Sequence, residues 1–215
     1  MPSLKLAGAA GILATVLATI GFALAPLWDL PPTTATVAEV GAFNAAHAGS
    51  LRAEVLLDTV TVTLWLVFGL GVWQRLRRAD GGDAFASSCF AGGLVAFVTL
   101  LLAGFTFSLV LCYREGRVAD PRLFVDMTFG LLAMSGAPTA VALTAYAAHV
   151  FASRTLPRST ALLAVVAAVA HVVLLASFVA RSGFFSLEGE VIVVLPATLF
   201  LWITATAIAL LRAEA

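Results

Sequence analysis

Charged residues are scarce in this sequence. Lys, Arg, Asp and Glu together make up 11% of its 215 residues, whereas soluble proteins carry about a quarter. Because so few charges cannot cover a water-exposed surface, a soluble globular domain is excluded, and a lipid bilayer must surround most of the chain. The 12 basic residues balance 12 acidic ones, and no basic run is present. We therefore predict no nucleic-acid partner.

Cysteine is also nearly absent, and so are known site motifs. Cys89 and Cys112 are separated by ~35 Å along one predicted helix, too far for a disulfide within one chain. The sequence contains no CxxC pair, HExxH sequence, Ser-His-Asp signature, glycine-rich phosphate loop or DDxxD sequence. A haem would need two histidines at matched depth, but His149 and His171 are offset by roughly half a bilayer. We therefore predict neither a cofactor nor a metal site.

Long hydrophobic runs are what the sequence does contain. Six apolar stretches reach the roughly 17–25 residues that cross a bilayer. They cover approximately residues 4–27, 55–73, 85–112, 123–151, 160–180 and 191–211. The predicted fold is an all-α six-helix bundle with short loops, forming a single membrane domain over residues 1–215. Only the outer loop, residues 28–52, is long, and its segment TVAEVGAFNAAH predicts a short helix at the membrane surface.

The first apolar segment has two interpretations. Lys5, the apolar run and Ala23-Leu24-Ala25 are typical of a signal peptide with its cleavage site. Pro26 would follow the cut, however, and the run is long for a signal peptide, so we expect it to remain as the first helix. The cluster WQRLRR after the second helix, with seven of the 12 basic residues in predicted inner segments, favours cytoplasmic termini in a bacterial inner membrane.

Helix boundaries and packing faces also follow from local patterns. Asp120-Pro121 predicts the start of the fourth helix, Asp83 a cap for the third, and Pro138 a kink. Small residues recur at three- and four-residue steps in two helices, which predicts close packing within the bundle or in a homo-oligomer. These stripes are Cys89, Gly92, Ala96, Thr99, Ala103 and Thr106 in the third helix, and Asp126, Gly130, Ala133, Ala137, Ala140 and Thr144 in the fourth.

The second helix carries the leading site candidates. Steps of four, three and four residues place Glu54, Asp58, Thr61 and Trp65 on one helix face. Asp58 lies ~10 Å inside the outer end, where an ionised side chain costs a few kcal/mol. It must therefore be protonated, paired or in contact with a wet cavity. In the structural alternative it pairs with one of four arginines, namely Arg52, Arg114, Arg117 and Arg122.

Asp126 and His171 complete the candidate set. Asp126 lies in the second turn of the fourth helix, on the same side of the membrane as Asp58. It gains there from the helix dipole, or it converges with Asp58 as a carboxylate pair that shares a proton. His171 lies at mid-membrane, as a proton carrier or a buried hydrogen-bond partner. We expect His149 to be structural and His47 to join the outer acidic cluster.

The segment LFVDMTFGLLAMSGAPTAVALTAYAAHVFASRTLPRSTALLAVVAAVAHVV combines three features. It has an apolar helix with a small-Pro step, an inner turn of the type Arg-x-Leu-Pro-Arg, and an alanine-rich helix. This order resembles uncharacterised bacterial six-helix membrane proteins, a domain of unknown function. The resemblance covers the central and carboxyl-terminal half. It implies no activity and transfers no functional residues.

Three functions are compatible with these patterns. A small proton-linked transporter or ligand-binding protein for a small molecule would use Asp58, with Asp126 and His171, beside a cavity open to the outer face. A membrane-embedded enzyme would use the outer-half carboxylates as general acid and base on a lipophilic substrate, in a closed pocket lined by Trp65 and phenylalanines. A non-catalytic membrane partner protein would pair each carboxylate with arginine and have no cavity. Between the first two, the lack of a catalytic signature favours the transporter or ligand-binding protein.

Overall fold

The computed structural model describes residues 2–80, 84–114 and 116–212, and none of these residues lies in a β-strand. Helices dominate this part of the chain. They are α1 (Pro2–Leu24), α2 (Val37–Arg77), α3 (Phe85–Arg114), α4 (Pro121–Met134), α5 (Gly136–Ser153), α6 (Arg158–Leu174), α7 (Val191–Val194) and α8 (Ala197–Arg212), with short 3-10 turns at Leu27–Asp29 and Leu175–Phe178.

Six stretches of these helices are long and apolar enough to cross a membrane. They are α1, α2, α3, α4 with α5, α6 with its following turn, and α7 with α8. Each stretch packs against its neighbours in sequence, and α1 also packs against α8, so the six form a closed ring. The predicted all-α six-helix bundle of a multi-pass membrane protein is confirmed.

The two ends of the bundle differ in what they carry. α1 and α8 run antiparallel, since Gly8 packs against Ala207 at one end and the Phe22 and Phe200 rings lie 5.6 Å apart towards the other. The start of α1 and the end of α8 therefore share one end, called here the terminal end. The opposite end, called the pocket end, carries the α1–α2, α3–α4 and α6–α7 connections.

Helix α2 is much longer than its apolar run predicts. Thr36 and Glu39 form a reciprocal capping box, with the Glu39 amide donating to the Thr36 hydroxyl at 3.3 Å and the Thr36 amide to the Glu39 carboxylate at 2.7 Å. From there 41 residues continue without a break, or ~60 Å of helix against ~30 Å of hydrocarbon. The predicted separate surface helix is therefore wrong, because it is the first part of α2.

Helix α3 packs through a different face from the predicted stripe. Gly92 and Thr99 are exposed, and a Cβ atom at Gly92 would meet nothing within 4 Å. The contact is made instead by Gly93, where a Cβ atom would lie 2.6 Å from the Pro138 carbonyl oxygen. The prediction that this stripe packs within the bundle is therefore wrong at Gly92 and Thr99, because α3 buries the adjacent face. Packing of the stripe in a homo-oligomer stays a prediction.

The fourth membrane span is interrupted where Pro138 predicts a kink. Ser135 separates α4 from α5, three residues before the proline that cannot donate to the carbonyl of Met134. At the other end of α4, the Asp120 carboxylate accepts from the Leu123 amide at 3.2 Å, confirming the predicted cap. The predicted cap Asp83 lies outside the described residues. The break brings the backbone of Gly136 close to α6, as described below.

Candidate functional site

A cavity of about 160 Å³ lies in the pocket half of the bundle. Its walls come from every membrane span and from the connection after α1, and they are mostly apolar. The aromatic members of the lining are Phe22, Phe43, Trp65, Phe97, Phe105, Phe129 and Phe200. Polar side chains line it at fewer positions, and Asp126, whose side chain is 43% exposed, connects it to the surface.

All five site residues predicted from the sequence line this one cavity. They are Glu54, Asp58 and Trp65 on α2, Asp126 on α4 and His171 on α6. Three helices thus bring together residues that are up to 117 positions apart in the chain. Neither His47 nor His149 belongs to the lining.

The α2 face predicted from the sequence forms a polar ladder, defined here as Glu54, Asp58, Thr61 and Trp65. All four line the cavity and together span ~16 Å along the helix. Among the described residues, neither carboxylate of the ladder has a hydrogen bond or an ion pair. The Thr61 hydroxyl and the Trp65 indole N–H are also without a partner, although these residues are only 1% and 7% exposed.

Unpartnered polar atoms of this kind are uncommon. Leaving a buried donor or acceptor unsatisfied costs about 1–3 kcal/mol, and native structures contain few such atoms. Here Thr61 and Trp65 stand beside two unpaired carboxylates on one face, and that face borders a cavity. The arrangement suits a site whose hydrogen bonds are completed by water or by a bound molecule.

Aromatic rings form the wall around the inner end of the ladder. Trp65 stacks on Phe97 with ring centroids 5.6 Å apart and planes at 26°, and it contacts Phe200 at the same distance. Phe200 in turn contacts Phe22 at 5.6 Å. These rings come from four membrane spans, so the wall at the inner part of the cavity is closely packed and apolar.

The mouth of the cavity is held by a cluster of Thr33, Arg122, Asp126 and Glu188. Arg122 donates to the backbone carbonyls of Thr33 and of Ala35, the latter at 2.7 Å, and its Nε lies 3.9 Å from Asp126. The Thr33 hydroxyl donates to the Glu188 carboxylate. Burial raises the pKa of Glu188, the Thr33 bond lowers it, and the charge of neighbouring Asp126 raises it.

Sequence reasoning missed Glu188 and Thr33 as members of the site. Both lie in connections between spans, where no helical spacing relates them to α2 or α4. The paired prolines before Thr33 mark a rigid turn, which was the only local signal.

Two predictions about the carboxylates need correction. No arginine among the described residues lies within 4.0 Å of Asp58, so the structural ion pair expected as the alternative is not observed. Asp126 also does not pair with Asp58. Its carboxylate neighbour is Glu188, and the carboxylate neighbour of Asp58 is Glu54, one helical turn earlier on α2.

His171 lines the cavity from α6 and is 2% exposed. Its Nδ1 lies 2.8 Å from the carbonyl oxygen of Ala167. Because a carbonyl oxygen only accepts, Nδ1 carries a proton, and Nε2 is the ring atom that can take up or release one. The start of α5 packs closely against α6 at this point, since a Cβ atom at Gly136 would lie 2.5 Å from the His171 carbonyl oxygen.

His149 has a separate, structural environment towards the terminal end. Its Nδ1 lies 3.3 Å from Oδ1 of Asp80, and both side chains are buried. The Ser87 hydroxyl donates to the other oxygen of Asp80 at 2.5 Å. These contacts tie the α2–α3 connection to α5, away from the cavity.

No group of three His, Cys, Asp or Glu side chains with the spacing of a metal site occurs within the described ranges. Comparisons with known proteins yield no family model, no curated protein and no solved structure that matches the chain. The resemblance to uncharacterised six-helix membrane proteins stays a prediction. The function is therefore argued from the cavity alone.

Proposed function

We propose that this protein binds a small molecule in the cavity and couples binding to proton movement, as a small proton-linked transporter or ligand-binding protein. One observation carries the proposal. Glu54 and Asp58 border a cavity in the pocket half of the bundle and have no hydrogen-bonding or ion-pairing partner among the described residues.

The physical basis is the exchange of two occupants at one carboxyl group. A carboxylate in apolar surroundings needs a proton, water or a ligand to offset its burial. A ligand that interacts with the ionised form of Asp58 displaces the proton, so ligand binding and proton binding are linked reciprocally. Nε2 of His171, which also lines the cavity, provides a second proton acceptor.

The basic residues at the terminal end suggest an orientation of the bundle in the membrane. The basic cluster of Arg75, Arg77 and Arg78 lies at the terminal end, and we place that end in the cytoplasm of a bacterial cell, by the positive-inside rule. The cavity then opens towards the outer face of the inner membrane. In this orientation Asp126 and Glu188 meet an incoming ligand first.

An enzyme acting on a lipophilic substrate is the second candidate, and the aromatic wall favours it. Trp65, Phe97 and Phe200 would hold an apolar substrate, and the adjacent ladder carboxylates would serve as general acid and base. A non-catalytic partner protein is disfavoured, because it would pair its carboxylates with arginine and would have no cavity. Asp58 has no arginine partner among the described residues.

Native mass spectrometry of the purified protein tests the proposal first. Wild type, Asp58→Asn and the control Asp29→Asn are compared in mild detergent. Asp29 is exposed and outside the cavity lining, so its substitution removes a carboxylate of the same kind without touching the site. We expect a small molecule that is retained by wild type and Asp29→Asn and lost from Asp58→Asn.

A second measurement asks whether that ligand displaces protons. Adding the identified molecule to weakly buffered protein should release protons from wild type and fewer from Asp58→Asn. Binding without any proton release would leave a ligand-binding protein and remove the proton-linked transporter. Chemical conversion of the molecule by wild type would favour the enzyme. Equal retention by wild type and a folded Asp58→Asn would remove Asp58 from the site.

A further inference from the structure

We propose that the ligand of the cavity is an organic cation with an apolar body, such as an aromatic or alkyl ammonium compound. This inference rests on the proposed function and names its substrate class. It is drawn from the charges that line the cavity, from the unpartnered atoms on α2 and from the aromatic wall.

The lining is unbalanced in charge. Four carboxyl groups face the cavity, from Glu54, Asp58, Asp126 and Glu188, against the single guanidinium of Arg122. That guanidinium donates to two backbone carbonyls and lies 3.9 Å from Asp126. It is therefore occupied at the mouth. No positive side chain of the lining offsets Glu54 and Asp58, and an anionic ligand would meet uncompensated repulsion from their ionised forms.

The unpartnered atoms give an independent sign of a ligand. Thr61 is 1% exposed, lines the cavity one turn beyond Asp58, and has no partner for its hydroxyl within the described chain. A hydroxyl can accept a hydrogen bond from an ammonium N–H that also contacts the Asp58 carboxylate. The Trp65 N–H remains available to a water molecule or to an acceptor atom of the ligand. The ladder thus offers a carboxylate, a hydroxyl and an indole to one molecule.

The aromatic wall suits a cation with an apolar body. The faces of Trp, Tyr and Phe rings attract cations within ~6 Å, and the effect grows when the cation is desolvated. The stacked pair of Trp65 and Phe97 lies beside the ladder and, with Phe200, also provides apolar area for an aromatic or alkyl group. A bare metal ion would use none of this wall.

The size of the cavity limits the ligand to a small molecule. A closed cavity of about 150 Å³ holds one benzene molecule, and this cavity, whose lining includes the mouth residues, measures about 160 Å³. The ligand is therefore limited to about one ring with a small ammonium group. Phenyltrimethylammonium is such a molecule, and its charge is permanent. It has no N–H donor, so it tests the charge and the apolar body of the ligand, whereas benzylammonium, which has N–H donors, tests the hydrogen bond to Thr61.

Three probes of one shape separate charge from apolar binding. Tritiated phenyltrimethylammonium is bound to the protein in nanodiscs, with empty nanodiscs as background. Competition uses unlabelled phenyltrimethylammonium, its neutral isostere tert-butylbenzene, and the anion benzenesulfonate. We expect saturable binding of the cation, with both competitors at least tenfold weaker. Asp58→Asn should lower the affinity at least tenfold, whereas Asp58→Glu should retain most of it and Asp29→Asn should match wild type.

A positively charged group can come from solution or from a lipid headgroup. Nanodiscs of phosphatidylethanolamine and of phosphatidylglycerol distinguish the two sources. If a headgroup ammonium occupies the site, phosphatidylethanolamine should compete with the probe and weaken its binding. If the ligand is a free amine, the saturable, Asp58-dependent binding should be equal in both lipids.

The contrary results are distinct from those that would remove the proposed function. Equal or stronger competition by tert-butylbenzene or benzenesulfonate would overturn the cationic ligand but would leave a ligand-binding cavity. Cation binding that survives in a folded Asp58→Asn would also overturn it. Absence of saturable binding would overturn the cationic class, and the proposed function would fall as well only if mass spectrometry of wild type also found no ligand.

Discussion

The Asp58 carboxylate lies against the backbone of Gly21. A Cβ atom at residue 21 would stand 3.0 Å from Oδ1 of Asp58 and 3.9 Å from its carboxyl carbon. α1 therefore approaches α2 closely at the level of the ladder. Because glycine has no side chain, the Asp58 carboxylate can occupy this position at the cavity wall. The contact couples the packing of two helices to the position of the candidate site residue.

Gly21→Ala should separate binding from folding. The added methyl group must push the Asp58 carboxylate aside by a few tenths of an ångström, and the cavity gives it room to turn. Alanine also stabilises a helix by about 0.5–1 kcal/mol relative to glycine, and this gain offsets the cost of moving the carboxylate. We expect a thermal unfolding midpoint close to that of wild type and a several-fold weaker affinity for the cationic probe.

Gly92→Ala is the matched control for this substitution. Nothing lies within 4 Å of a Cβ atom at Gly92, which is exposed on α3. Gly92→Ala should raise the thermal unfolding midpoint, because alanine stabilises the helix, and should leave the affinity for the cationic probe unchanged. Equal probe affinities of the two variants and wild type would show that the Gly21 contact does not position Asp58 for ligand binding.

Thr61→Val should stabilise the protein and weaken ligand binding. Valine keeps the shape of threonine but removes a buried hydroxyl that has no partner among the described residues, a group whose desolvation costs about 1–3 kcal/mol. Thr139→Val is the control, since the Thr139 hydroxyl donates to the Ser135 carbonyl at 2.7 Å. Its loss should lower stability by about 1 kcal/mol. Thermal unfolding without ligand measures the first effect, and competition of benzylammonium, which has N–H donors, against the tritiated probe measures the second.

A loss of stability in Thr61→Val would contradict the absence of a partner for the Thr61 hydroxyl. If Thr61→Val were less stable than wild type in the absence of ligand by as much as Thr139→Val, the hydroxyl would have a structural partner in the folded protein. Unchanged affinity for benzylammonium would remove Thr61 from the proposed binding site.

Glu188 should make the stability of the folded protein depend on pH. Burial raises the pKa of its carboxyl above the ordinary value of 4.5, against the lowering effect of the Thr33 hydroxyl. Between the unfolded and the raised folded pKa, the folded protein binds more protons than the unfolded chain. The stability that Glu188 contributes to the folded protein is therefore fully present below the pKa of the unfolded state, and it is lost as the pH rises through the pKa of the folded state.

Glu188→Gln should remove that part of the pH dependence. Glu190→Gln is the control, because Glu190 is exposed two residues later and does not line the cavity. Unfolding midpoints are compared across a pH series for wild type and both variants. If the unfolding midpoint of Glu188→Gln changes with pH as much as that of wild type, another group causes the pH dependence.

The parts of the site that follow from one helix were predictable from the sequence. Glu54, Asp58, Thr61 and Trp65 share a face because of helical spacing alone, which needs no knowledge of neighbouring helices. The six spans likewise follow from the length of the apolar runs. The sequence also marks the start of α2 by the capping pair Thr36 and Glu39. The apolar run alone, however, predicts a helix that begins only near residue 55.

The parts that depend on contacts between elements were not predictable in the same way. A pair of Asp126 with Asp58 was one of two alternatives, yet the carboxylate neighbour of Asp126 is Glu188, from a connection whose path no periodicity fixes. The small-residue stripe of α3 was assigned to packing, yet Gly93 rather than Gly92 makes the close contact. Small residues recur on more than one face of α3, so spacing alone does not select the buried face.

The orientation of the bundle decides from which side a ligand reaches the ladder. Asp29 is exposed at the pocket end, and Ser159 is exposed in the α5–α6 region at the terminal end. Single cysteines at these positions, Asp29→Cys or Ser159→Cys, are introduced with Cys89→Ser and Cys112→Ser, and intact bacterial cells are treated with a membrane-impermeant maleimide. Because basic segments remain on the cytoplasmic side, we expect labelling of Asp29→Cys in intact cells and of Ser159→Cys only after lysis.

The reverse labelling pattern would turn the cavity towards the cytoplasm. The ladder and its ligand chemistry would be unchanged, because they depend on α2 and the rings around it. A ligand would then enter from inside the cell, and any proton displaced from Asp58 would leave to the same side through the mouth formed by Arg122, Asp126 and Glu188. In the proposed function, orientation would therefore set the direction of the proton-linked activity, and the cavity would set which molecule is bound.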